Sequence, residues 1–206
     1  MMMLMAFSDF QGEVDAYVRG KKWYWYLPVW FIGVYIFIGL LSFNPNKQMP
    51  FLITIAESFD FMLHEMAHIL TAFLPAILTA AAGSGSELLL GTLLVYMAFK
   101  QSSYFTVLIT SLWFMLACQS VGVYMADARA QRLELVSLGG ALSGGDKTIH
   151  DWNFIFSRLH MLGFDVVIGT CMRAVGVIAG LGGLAFSAWL IYKMAATTEA
   201  TPAPTK

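Results

Sequence analysis

The stretch Ala56 to Pro75, AESFDFMLHEMAHILTAFLP, holds the residues best suited to chemistry: His64-Glu65-Met66-Ala67-His68, an HExxH motif. On a helix, residues four apart sit on one face about one turn apart. Both imidazoles can therefore reach one ion, normally zinc, while the Glu beside the first His faces the metal's water. In that pattern the Glu is the base, taking a proton from water whose pKa the metal has lowered. His64 and His68 are thus candidate metal ligands and Glu65 the candidate catalytic residue.

The motif lies inside an apolar run long enough to cross a bilayer, where ionisable side chains are costly and mark function by default. At roughly 100° per residue, Glu57, Asp60, His64, His68 and Thr71 fall within a stripe about 80° wide, with Glu65 beside it. Such a stripe must face a polar cavity or other polar groups, not lipid. The competing explanation is interhelical hydrogen bonding that only holds a bundle together. Two His and three acids on one stripe exceed what such bonding needs, so a metal site is the stronger reading.

Composition sets the elements that must carry this site. Of 206 residues, 58% are hydrophobic and only 12% charged, against about 25% charged in soluble domains. With a mean hydropathy of +0.68, the chain reads as an all-α polytopic transmembrane bundle of about five spans. The net charge of -1 gives no footprint for nucleic acid. Cys118 and Cys171 sit in apolar segments and read as buried hydrophobes rather than a disulfide framework.

Residues 1–22 lack the pattern of a cleavable signal: Asp9, Glu13 and Asp15 interrupt them and no small-residue cleavage site follows. Phe7, Phe10, Val14, Tyr17 and Val18 recur at helical spacing, which predicts an amphipathic helix on the membrane surface. Trp23-Tyr24-Trp25-Tyr26 forms an aromatic belt. Spans are expected at about 23–43, 51–80, 87–99, 104–125 and 164–192, with Pro75 kinking or ending the second. Gly83-Ser84-Gly85-Ser86 reads as a flexible break before the third. The polar loop 127–163 contains Gly139-Gly140 and Gly144-Gly145-Asp146, then an amphipathic helix over 148–162. The glycine-rich last span predicts close packing, and 194–206 reads as a disordered tail. Summing Arg19, Lys21, Lys22, Arg129, Arg132, Lys147, Arg158 and Arg173 on one side places the N-terminus and the 127–163 loop in the cytoplasm.

A catalytic zinc takes a third protein ligand and keeps one position open. Only His150 and His160 remain among histidines. His150 is the first choice and the adjacent Asp151 the second; either could instead orient the other. Asp165 is a rival acid, and Asp127 another, although Arg129 suits it to a surface ion pair. His160 reads as interfacial.

An HExxH on a transmembrane helix of a small polytopic protein resembles the site-2-protease-like intramembrane zinc metallopeptidases. The order HEMAH, Ala82-Gly83-Ser84, Gln119-Ser120, Tyr124-Met125-Ala126-Asp127-Ala128-Arg129-Ala130-Gln131 and His150-Asp151-Trp152-Asn153 is similar to a group of bacterial membrane proteins placed near those peptidases. The resemblance covers about residues 50–175. It implies one Zn2+ per chain held by His64 and His68, Glu65 as base, the bacterial inner membrane, and a membrane-embedded protein or peptide substrate. The site-2 pattern takes its third ligand from an Asp in an Asn-Pro…Leu-Asp-Gly segment. Here Gly163-Phe164-Asp165 is the only echo of it. The alternative function is a non-enzymatic metal-binding or scaffolding subunit of a membrane.

Overall fold

The computed structural model describes residues 2–133 and 150–199, and among them it contains helices and turns but no strand. The α-helices are α1 (Met2–Val18), α2 (Leu27–Leu41), α3 (Phe51–Leu70), α4 (Ala76–Lys100), α5 (Thr106–Ala126), α6 (Asp151–Arg158) and α7 (Asp165–Glu199). Among the described residues, four stretches are both long and apolar enough to cross a membrane: Trp23–Leu41, Ala76–Lys100, Thr106–Ala126 and Leu162–Thr197. The chain is an integral membrane bundle.

α3 has the length to cross, about 30 Å at 1.5 Å per residue, but carries Glu57, Asp60 and Glu65. Its polarity is inverted relative to a soluble helix. Phe51, Ile55, Met62 and Ile69 are exposed, whereas Asp60, His64 and Glu65 are buried. In a bilayer, apolar side chains meet lipid at no cost and ionisable ones must turn inward to partners.

α5 is the central helix. It runs antiparallel to α7 along most of its length and to α4 on another side, and it touches α2 and α3. Glycine on α7 permits the first contact: a Cβ at Gly176 would press on Cys118 and Met115, and one at Gly183 would collide with Ser111. A reciprocal polar link crosses this seam. Arg173 Nε donates to Gln119 Oε1 at 2.7 Å, and Gln119 Nε2 donates to the Arg173 carbonyl at 3.2 Å.

The expected helix boundaries shift around Pro75. α3 stops at Leu70 and Pro75 caps the start of α4. Pro75 has no N–H for the Thr71 carbonyl, which accepts instead from Leu74 N at 2.8 Å and Thr79 Oγ1 at 2.9 Å. The expected break at Gly83–Ser86 is absent, because α4 runs through it without interruption. Packing overrides the low helix propensity of that segment: Gly83 and Ser84 are buried against neighbours. α7 likewise continues to Glu199, past the expected start of a disordered tail at 194. α6 is the centre of the expected 148–162 helix; its first two residues, both glycine pairs and Lys147 lie outside the described residues, as do 200–206.

The grouping of the N-terminus with the 127–163 loop on one side does not hold for the described residues. α1 packs at the end of the bundle where α5 begins and α7 finishes: Val14 and Val18 are fully buried in the core shared by Tyr104, Leu190 and Met194. Tyr104 Oη donates to Glu13 at 2.6 Å, Tyr17 Oη accepts from Phe105 N at 3.2 Å, and Lys193 pairs with Asp15 at 2.5 Å. Residues 127–133 lie at the other end of α5, about 30 Å away. Arg19, Lys21 and Lys22 therefore do not share a side with Arg129, Arg132, Arg158 and Arg173. The charge bias that placed the N-terminus inside dissolves, since the sum combined opposite ends.

Candidate metal centre

The site is assembled from four helices at the end of the bundle away from α1. α3 supplies His64, Glu65 and His68, α4 Thr79, Gly83 and Glu87, α5 Tyr124, and α6 Asp151. The helical spacing aims both imidazoles at one carboxylate. His64 Nε2 is 3.3 Å and His68 Nε2 3.2 Å from Asp151 Oδ2. One donor atom from each of these three residues lies within 4.8 Å of the others, so the group could hold a metal ion.

The far nitrogens are tied off. His64 Nδ1 is 2.6 Å from Glu87 Oε1, and His68 Nδ1 is 2.8 Å from the Thr79 carbonyl. A carbonyl only accepts, so His68 Nδ1 carries the proton and its Nε2 lone pair is left for a metal. This is the outer arrangement that metal-binding histidines use to fix tautomer and ring orientation. Glu87, 4% exposed, does the same for His64.

Asp151 is held as firmly. Tyr124 Oη accepts from its backbone N at 3.0 Å and donates to its Oδ2 at 3.3 Å. Trp152 Nε1 donates to Ser84 Oγ at 3.0 Å, and Asn153 Nδ2 to the Ala128 carbonyl at 2.7 Å. Those two bonds clamp the start of α6 onto α4 and the end of α5. Burial alone would raise the Asp151 carboxyl pKa, but the imidazoles of His64 and His68, when both ring nitrogens are protonated, outweigh it and hold the group below its usual range; a metal would take the place of those Nε2 protons.

His150, the first choice for third ligand, stands apart from this group. Its Nδ1 accepts from Asn153 N at 3.2 Å and so caps α6, its ring stacks on Tyr124 at 4.3 Å, and its Nε2 points to Asp127 at 3.6 Å. Burial pushes its pKa down, toward the neutral ring. Asp165 accepts from Arg129 N and Val166 N and pairs with the Arg129 guanidinium at 3.3 Å. Asp127 accepts from Arg132 N and Leu133 N. Neither acid joins the group. Exposed His160 adopts a left-handed backbone at the end of α6. Glu65 is buried, 7% exposed, and within electrostatic reach of Tyr124.

Sequence reasoning passed over Glu87, Tyr124 and Gly83 as parts of the site. An acid in the middle of an apolar span was the one available signal for Glu87. Gly83 matters by what it lacks: a Cβ there would sit 2.5 Å from His64 Nε2 and 2.6 Å from Cε1. Gly83→Ala is therefore expected to displace the His64 ring and weaken metal retention at least ~10-fold, the scale of losing an orienting partner. Gly85→Ala, where a Cβ meets nothing within 4 Å, leaves retention unchanged. Chelator competition on the two purified variants checks the contrast; equal retention would show that the ring has room.

Comparison with protein-family models, curated proteins and solved structures finds no match to this chain.

Proposed function

We propose that this protein is an intramembrane zinc metallopeptidase that hydrolyses peptide bonds of membrane-embedded substrates. The observation that carries the reading is the convergence of His64 Nε2, His68 Nε2 and Asp151 Oδ2, with both Nδ1 atoms already bonded elsewhere. Two imidazole nitrogens and a carboxylate oxygen are donors that zinc takes, and three protein ligands leave one tetrahedral position open. His64, His68 and Asp151 would hold the ion, and their outer partners Glu87, the Thr79 carbonyl and Tyr124 keep each donor aimed. A bound zinc would supply Lewis acidity and a water of lowered pKa.

The chain's own residues then divide the work. Glu65 adjoins the first ligand in sequence and is buried on the same side of α3. Its carboxylate accepts the water's proton and returns it to the leaving amine. Burial of the site among α3, α4, α5 and α6 limits water, which strengthens each of these electrostatic contacts. The apolar outer surface of α3 lets a substrate segment approach from the bilayer, and the resemblance to bacterial proteins points to the inner membrane as that bilayer.

The test is elemental analysis of detergent-purified protein joined to a cleavage assay on membrane proteins reconstituted with it. About one zinc per chain is expected, with cleavage lost on chelation and restored by zinc. A zinc-loaded protein that cleaves nothing would favour a metal-binding subunit instead. Protein purified without chelators that takes up no metal would overturn both readings.

A further inference from the structure

We infer a phospholipid-binding cleft at the opposite end of the bundle from the metal centre. α4 and α7 part there above α5 and leave a cavity of about 560 Å³. Thr92, Tyr96 and Phe99 form one wall, Gly182 and Phe186 the other, and Phe114 part of the floor. The lining is almost wholly apolar. It turns off a different face of α4 from Gly83 and Glu87: at 100° per residue, Tyr96 lies about 180° around the helix from Glu87.

Three observations select the occupant. The first is size. The walls run about seven residues on each helix, roughly 10 Å. A packed helix would need contact across far more of the ~30 Å bilayer. A single acyl chain does not. The second is the wall itself. A Cβ at Gly182 would meet nothing within 4 Å, whereas its neighbour Gly183 is packed against Ser111. Gly183 is needed for the seam with α5; Gly182 leaves open space facing the cleft. The third is charge. Lys100 follows Phe99 at the end of α4, with its Nζ 6.0 Å over the Tyr96 ring. An aromatic wall crowned by a cation at a helix end is the arrangement that meets a headgroup at the interface. The nearby acids are engaged, Glu13 by Tyr104 and Asp15 by Lys193. The cleft therefore takes one acyl chain of an anionic phospholipid, whose phosphate meets Lys100.

Native mass spectrometry of the full chain, released from nanodiscs of mixed phosphatidylglycerol and phosphatidylcholine, tests this. One retained phospholipid per chain is expected, with phosphatidylglycerol preferred. Gly182→Leu fills the cleft and cuts retention at least tenfold, with metal content unchanged as the check on folding. Thr92→Leu, from the facing wall, does the same should Gly182→Leu misfold. Lys100→Gln keeps the lipid but abolishes the preference for phosphatidylglycerol. Native-level retention in both plugged variants would overturn the proposal, as would an unchanged preference in Lys100→Gln. A second protein chain that Gly182→Leu removes would instead make the cleft a docking surface for a helix.

Discussion

Asp151→Asn is expected to strip the metal from the purified protein, while His150→Ala keeps about one ion per chain. Asn preserves the volume of Asp151 and the contact of its backbone N with Tyr124. It removes the negative charge and replaces an anionic donor by a neutral amide, a far poorer partner for a divalent ion. The loss should exceed the roughly 10- to 100-fold that outer partners cost, because a donor atom itself is gone. His150→Ala removes a cap from α6 and a ring stacked on Tyr124. A lost cap costs typically about 1 kcal/mol, and the Trp152–Ser84 and Asn153–Ala128 bonds still hold the helix in place. Elemental analysis with chelator titration of both variants decides the matter. The reverse result, metal lost with His150 and kept with Asn at 151, would place the third donor on the imidazole.

That Asp151 and not its neighbour His150 converges with the two imidazoles shows what the sequence carried and what it did not. The spacing of His64 and His68 is a property of one helix, and helical geometry transfers from sequence to structure intact. The buried stripe was legible for the same reason: Asp60 and His64 face inward as the periodicity required. Choosing between His150 and Asp151 is different, because adjacent residues at a helix start point about 100° apart. Which one faces α3 depends on how α6 docks, and the docking is set by Trp152 on Ser84 and Asn153 on the end of α5. No local pattern encodes those long-range bonds.

The same distinction explains the misplaced break at Gly83–Ser86 and the grouping of α1 with residues 127–133. Gly-Ser-Gly-Ser has low helix propensity, but Gly83 admits the His64 ring and Ser84 receives Trp152. The requirement for small side chains came from α3 and α6, not from a turn. For α1, the charge count assumed that each apolar run reverses the chain once. The bonds from Glu13 and Tyr17 to Tyr104 and Phe105 fix α1 beside the start of α5 instead. An assignment of sides by charge is only as good as the crossings it presumes.

Glu65→Gln should separate chemistry from metal binding more sharply than any other substitution. Glu65 contributes none of the three converging donor atoms, and Gln fills the same buried volume. Metal content should therefore stay at about one ion per chain. What disappears is the ability to take a proton from water, and loss of a positioned base typically costs 10²- to 10⁴-fold in rate. Membranes from cells carrying Glu65→Gln should accumulate uncut substrate relative to cells with the native chain, and the variant should hold that substrate long enough for co-purification. Metal loss in this variant would mean that Glu65 supports the ligands instead of acting as the base. Retained metal with unchanged cleavage would assign the proton to another group.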